Sequence, residues 1–130
     1  MQGASAIQTV LEQHPAAPLR AFIVWEAVLV SDAGPPDSYA LALLADRRTV
    51  HFWDPNRLLS QKILETTAGN PQHTLAQCCL SGKVVWDVVA LYPKGMRWEG
   101  GFPSPSFGGR RVIEAAGELG RHLSLALADR

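Results

Sequence analysis

The chain has 130 residues, of which 47% are apolar and 18% are charged, and its 12 basic and 12 acidic side chains cancel. This size and composition suit one compact domain over residues 1–130, and a neutral surface lacks the electrostatic footprint of a nucleic-acid-binding protein. No apolar run approaches the roughly 20 residues that span a bilayer, and the first residues do not resemble a signal peptide. We therefore expect a cytoplasmic protein that binds neither nucleic acid nor membrane.

The apolar spacing predicts a first helix over residues 4–14, which the prolines of "HPAAP" end. This helix and its linker, residues 1–19, precede a core of residues 20–128. The run "AFIVWEAVLV" is apolar at odd and even positions except Glu26, which predicts a strand covered on both faces. The loop "SDAGPPDS" then offers Asp37 and Ser38 as helix N-caps.

The middle of the chain alternates helices and strands. A helix over residues 39–48 is expected to bury Tyr39, and "TVHFWD" is the second strand. Asp54 followed by proline is a typical helix start, and the helix that begins there is expected to bury Leu58.

The last part begins with a loop that contains the cysteines. The third strand is "KVVWDVVALY", and "RWEGGF" is expected to return beside it as an antiparallel fourth strand. The segment "PSPSFGG" is predicted to be a loop, and the final helix covers residues 112–128.

The predicted order is α-β-α-β-α-β-β-α. Strands joined by helices pair in parallel through right-handed crossovers, whereas a short turn gives an antiparallel pair. Without the first helix, the order β-α-β-α-β-β-α is that of the thioredoxin fold. We therefore expect an α/β, thioredoxin-like domain with one four-stranded mixed sheet and helices on both faces.

Four segments carry a family resemblance: "VWEAVLVSDAGPP", "VHFWDPNRLLSQ", "VVWDVVALYPKGMRW" and "PSPSFGGR". They resemble a poorly characterised group of bacterial thioredoxin-like proteins that lack the CxxC motif, over about residues 20–128. The wider superfamily places CxxC at a helix start, where the helix N-terminus stabilises a thiolate. Here the matching loop is "SDAGPPDS", and the proline that usually precedes the third strand is absent. We therefore expect no thioredoxin-type dithiol exchange.

The two cysteines, Cys78 and Cys79, have two interpretations. They form either a thiol or soft-metal site, with His73 as a neighbour, or a pair of small residues of which at least one fills the core. We expect no disulfide between them, because it would close a small ring across a planar trans peptide bond and because glutathione would reduce it.

A second candidate site is the loop around Ser31, Asp32, Asp37 and Ser38, which follows the first core strand. Open α/β sheets usually bind ligands at the carboxyl ends of their strands, so these residues either bind a ligand or simply cap a helix and form a turn. Glu26 is either a functional carboxylate with a raised pKa or the wet end of a strand.

The four tryptophans, Trp25, Trp53, Trp86 and Trp98, all fall on predicted strands. They either line an aromatic pocket or pack between sheet and helices, and we include Trp53 among the candidate binding residues.

The functional expectation is a non-redox domain, monomeric or homodimeric, that binds a protein partner or a small ligand at the carboxyl edge of its sheet. No catalytic residue, cofactor or metal is assigned. The alternative is a thiol-dependent redox or soft-metal-binding protein that uses Cys78 and Cys79. A weaker possibility is a carboxylate-based enzyme that uses Asp32 or Glu26.

Overall fold

The computed structural model describes residues 2–28, 34–80, 82 and 84–128. Its elements in chain order are α1 (Gln2–Gln13), β1 (Ala21–Glu26), α2 (Ser38–Ala42), β2 (Thr49–Asp54), α3 (Leu58–Thr67), α4 (Thr74–Cys78), β3 (Val88–Leu91), β4 (Phe107–Arg110) and α5 (Val112–Ala128). The α/β class is therefore confirmed. Within the described ranges, no helix combines the length and the apolarity needed to cross a bilayer.

The described strands pair two by two. β1 and β2 are parallel, from Ala21 opposite Thr49 to Glu26 opposite Asp54. β3 and β4 are antiparallel, with Leu91 opposite Phe107. The described residues thus form two two-stranded sheets where the sequence predicts a single sheet of four strands.

The prediction that helices cover both faces of the first strand is wrong. Phe22 on β1 is 64% exposed and Phe52 on β2 is 48% exposed. Because side chains alternate along a strand, even-numbered residues of β1 and β2 share one face, and this face is open at both phenylalanines. An apolar run in the sequence predicts an apolar strand surface, but it does not identify the element that covers this surface.

The β3–β4 sheet lies between two apolar clusters. On one face, α1 and α5 pack against it, and the cluster contains Val10, Val89, Leu91, Phe107, Ala115, Leu119 and Leu123. On the other face lie α3, α4 and the chain before β3, with Ile63, Leu75, Cys79, Val85, Val88 and Ala90. This second sheet is therefore the centre of the hydrophobic core.

Arg48 holds the end of α1 in place. Its guanidinium donates to the carbonyl oxygens of Leu11 at 2.8 Å, His14 at 2.7 Å and Ala17 at 3.0 Å. It also donates from Nε and Nη2 to the Asp46 carboxylate, at 2.9 Å each. The last carbonyls of a helix lack partners within the helix, so Arg48 supplies donors there from a distant part of the chain.

The predicted fourth strand is also wrong. Residues 97–102 contain no strand, and β4 instead lies at Phe107–Arg110, within the segment predicted to be a loop. Glycine pairs usually indicate a turn. Here they permit close packing, because a Cβ at Gly108 would lie 3.0 Å from Leu75 Cδ2 and one at Gly109 would lie 2.6 Å from Ala115 Cβ.

The predicted capping residues make the expected hydrogen bonds, but the helices do not always begin at the predicted residue. Asp54 Oδ1 and Oδ2 accept from the amides of Leu58 at 3.0 Å and Leu59 at 2.9 Å. The helix nevertheless begins only at Leu58, after Arg57 adopts a left-handed conformation with φ 54°. Leu58 and Tyr39 are exposed rather than buried, because the real helices start later or end sooner than the apolar pattern suggests.

Candidate functional site

The structure gives a partial view of the predicted loop site. Ser31 and Asp32 lie outside the described residues. Asp37 is the N-cap of α2, with its Oδ1 accepting from the Ala40 amide at 2.8 Å, and Ser38 is the first residue of that helix. Asp37 therefore has the contact that the capping interpretation requires.

The remaining candidates lie on different elements. Trp53 is half-buried on β2, opposite Trp25 of β1. Cys78 and Cys79 lie at the end of α4, next to β4. Trp53 and the cysteines therefore lie on separate elements, a strand of the β1–β2 sheet and a helix beside the β3–β4 sheet.

Two carboxylates face each other at the carboxyl edge of β1 and β2. Glu26 pairs with Asp54 in the register, and its Oε1 accepts from the Ser60 hydroxyl at 2.8 Å and the Ser60 amide at 3.2 Å. Burial raises the pKa of Glu26, and the charge of Asp54 adds to that effect, while the bonds from Ser60 oppose it. Because Asp54 caps α3, both acids hold the start of that helix.

Ser60 joins the two halves of the fold. Its hydroxyl is 1% exposed, lies 2.9 Å from the Val85 carbonyl oxygen and accepts from the Val85 amide at 3.1 Å. When Glu26 is ionised, the single Ser60 proton is drawn to the carboxylate, because charge-assisted hydrogen bonds are the stronger ones. The sequence does not single out Ser60, since a serine within a helix carries no signal of such a bridge.

The two faces of the β1–β2 sheet differ in character. On the odd-numbered face, Trp25 Nε1 donates to His51 Nδ1 at 3.0 Å, and His51 Nε2 donates to the Leu44 carbonyl at 2.9 Å. The tautomer that fits both contacts is the one in which Nδ1 accepts and Nε2 donates. On the even-numbered face, the rings of Phe22 and Phe52 lie 6.2 Å apart between centroids. We call this exposed pair, with Val24 and Val50 beside it, the aromatic face.

The cysteine pair confirms one expectation and contradicts another. Cys79 is 2% exposed and belongs to the second apolar cluster, whereas Cys78 is exposed. The expectation of two unbonded thiols is wrong, because the sulfurs form a vicinal disulfide. Cys78 is the last residue of α4 and Cys79 is its C-cap.

His73 does not assist the sulfurs. Its Nδ1 accepts from the Leu75 amide at 3.2 Å as the N-cap of α4, and its Nε2 donates to the Phe102 carbonyl at 3.0 Å. Across the part of the chain that the structure describes, no group of three or more His, Cys, Asp or Glu residues is arranged to hold a metal ion. The described residues thus bring no further ligand to the pair.

Two grooves lie on the described part of the chain. A groove of about 500 Å³ lies between α1 and α5, and its lining, which includes Ser5, Thr9 and Ile113, carries no ionisable side chain. A second groove, of about 390 Å³, lies along the linker after α1 and includes Arg20, Arg47 and Arg48. We therefore take the carboxyl edge of the β1–β2 sheet and the aromatic face as the candidate functional surfaces.

Comparison with protein-family models, with curated proteins and with solved structures gives no match for this chain. The function is therefore argued from the arrangement of its own residues.

Proposed function

We propose that this chain is a binding domain that recognises a protein partner through the aromatic face of the β1–β2 sheet. The binding surface extends to the carboxyl ends of the two strands. The observation that carries this proposal is the pair Phe22 and Phe52, two exposed aromatic rings side by side on one sheet face. Single exposed apolar residues are ordinary, whereas a contiguous apolar patch marks an interaction surface.

The surroundings of the patch favour a partner with a basic side chain. Strand alternation puts Glu26 and Asp54 on the same face as Phe22 and Phe52, at the ends of their strands. Protein interfaces combine an apolar centre with a polar rim, and complementary charge across the rim selects the partner. The partner should therefore present an apolar side chain with a lysine or arginine beside it.

The connectivity supports the choice of this region. Apart from the additional short helix α4, the order after α1 is the one expected for a thioredoxin-like domain, with a parallel first pair and an antiparallel second pair of strands. We propose on this basis, and on the sequence resemblance, that the chain is a cytoplasmic, bacterial thioredoxin-like domain. The loop "SDAGPPDS" carries no cysteine, so the proposed role is binding rather than thioredoxin-type exchange.

The test uses a photo-reactive phenylalanine analogue at position 22, in cells that naturally make the protein. We expect irradiation to link the chain to one predominant protein. The substitution Phe52→Ser should abolish this link, because it removes the neighbouring ring without disturbing a buried residue. The same analogue at Tyr39, which is 67% exposed on α2, is the matched control and should not give that product.

Three outcomes would contradict the proposal. The first is an identical product from position 39, and the second is a product from position 22 that survives Phe52→Ser. The third is a product that contains only a second copy of this chain, which would make the aromatic face a self-association surface.

A further inference from the structure

The cysteine pair joins an exposed residue, Cys78, to a buried one, Cys79. Cys79 lies four residues after Leu75, and its amide donates to the Leu75 carbonyl at 3.0 Å. Residues four apart share one face of a helix, and here that face is buried against Ile63 and Val85. The Cys79 sulfur is therefore enclosed by apolar side chains.

Cys78 lies one position earlier and is not part of the apolar cluster that contains Cys79. A Cβ added at Gly108 would lie 3.2 Å from Cys78 Sγ, so this sulfur lies beside the bare backbone of β4. Cys78 is nevertheless an exposed residue.

We propose that this disulfide is a thiol-modification site with a fixed direction, at which a low-molecular-weight thiol attacks Cys78 and releases Cys79. Exchange requires a thiolate to approach one of the two sulfurs, and access decides which sulfur is attacked. Only Cys78 gives that access without opening the contact between α4 and the core. The site is separate from the aromatic face and does not depend on the proposed partner.

The reaction balances with the small thiol as its only co-reactant, whose sulfur is oxidised to the disulfide level while Cys79 is reduced to a thiol. The sulfur of the small thiol, as its thiolate, bonds to Cys78 Sγ while the bond between Cys78 and Cys79 breaks. Cys79 leaves with the electron pair and takes up a proton, so one thiol and one disulfide become one mixed disulfide and one thiol. Apolar surroundings favour the neutral thiol over the thiolate, which slows the return attack of Cys79 on the mixed disulfide.

The first experiment maps the direction of the exchange. The native protein, purified without reductant, is treated with reduced glutathione, and free thiols are then blocked with N-ethylmaleimide before peptide mapping. We expect glutathione on Cys78 and the maleimide on Cys79. The same reaction in concentrated urea is the control, because unfolding exposes both sulfurs and should distribute glutathione over both positions.

A second measurement covers the case in which the mixed disulfide recloses too fast to isolate. The variants Cys79→Ala and Cys78→Ala each keep one thiol, and both are treated with oxidised glutathione. Cys78 should be modified about tenfold faster or more, since Cys79 must wait for local opening. The proposal is overturned if the two rates are equal in the folded variants, if mapping places glutathione mainly on Cys79, or if the native protein contains two free thiols from the start.

Discussion

Asp46 and Arg48 show how two side chains fix the end of a helix that lies far away in sequence. Both are largely buried, with 14% and 12% of their side chains exposed. Hydrogen bonds from Arg48 are the main reason why the pKa of Asp46 falls from 3.8 to about 2. The carboxylate in turn orients the guanidinium toward the carbonyls of α1.

This pair gives a prediction about acid stability. A group whose pKa is lowered by folding stabilises the protein above its unfolded pKa and loses that contribution as the pH falls through the folded value. We expect Asp46→Asn to lower the free energy of unfolding by about 1–2 kcal/mol near neutral pH, after allowance for solvent screening. The difference from wild type should disappear as the pH falls from 3.8 toward about 2. Urea titrations over that range measure it, and a constant difference would contradict the assignment.

Glu26 gives the opposite prediction. Its pKa is raised from 4.5 by burial, so its ionisation destabilises the folded state, and stability is lost as the pH rises through the folded pKa. The variant Glu26→Gln keeps an acceptor for Ser60 but cannot ionise. Relative to this variant, wild type should lose stability as the pH increases above 4.5. The exposed Glu65→Gln is the control for the loss of one charge, and an equal pH profile for both variants would show that burial of Glu26 is not the cause.

The sequence identifies a functionally interesting residue where a charged side chain interrupts an apolar pattern. Glu26 stood out because it interrupts an apolar strand, and the structure gives it a buried setting and a partner. Ser60 and Arg48 did not stand out, because their roles depend on residues that are distant along the chain. Such contacts have no local signature.

At the scale of elements, the two glycines of β4 let the strand fit between α4 and α5. Gly109→Ala is expected to destabilise the protein by about 2–3 kcal/mol, because its Cβ would overlap Ala115 and overpacked cores cost free energy of that order. Gly108→Ala should cost less, since the nearest contact of its Cβ, 3.0 Å from Leu75 Cδ2, is longer than the 2.6 Å contact at Gly109. Thermal or chemical unfolding measures both substitutions.

Gly117 on α5 is the matched control for these substitutions. A Cβ there would meet nothing within 4 Å, so Gly117→Ala should stabilise the protein by about 0.5–1 kcal/mol through higher helix propensity. A stabilising Gly109→Ala would contradict the packing of β4 against α5.

These elements also explain which predictions succeeded. The bounds of β2 and α5 agree with the sequence pattern, because both segments have a clear period and clear ends. The sequence does not predict β4, because its glycines are typical of turns. The close packing against α4 and α5 that these glycines allow depends on tertiary contacts, which have no local sequence pattern. The helix α4 was missed because five residues are too few for a periodic signal.

At the scale of the whole molecule, two sheets share one chain, and Ser60 is a polar link between them. We expect Ser60→Ala to accelerate amide hydrogen exchange in β1 and β2 more than in β3 and β4. Without its hydroxyl, the Val85 amide loses its acceptor and Glu26 loses a donor, at a cost of about 1–3 kcal/mol. The exposed Ser124→Ala is the control. Uniform acceleration over both sheets would show that they open together.

The packing of α1 against α5 has a consequence for synthesis of the protein. Val10 of α1 is buried beside Leu119 and Leu123 of α5, and about a hundred residues separate these partners. Chains leave the ribosome from the amino end, so the first of these helices emerges long before its cover exists. Until residues 112–128 have emerged, the apolar stripe of α1 is open to chaperones and to other nascent chains. The core around Val10 therefore closes only after residues 112–128 have emerged.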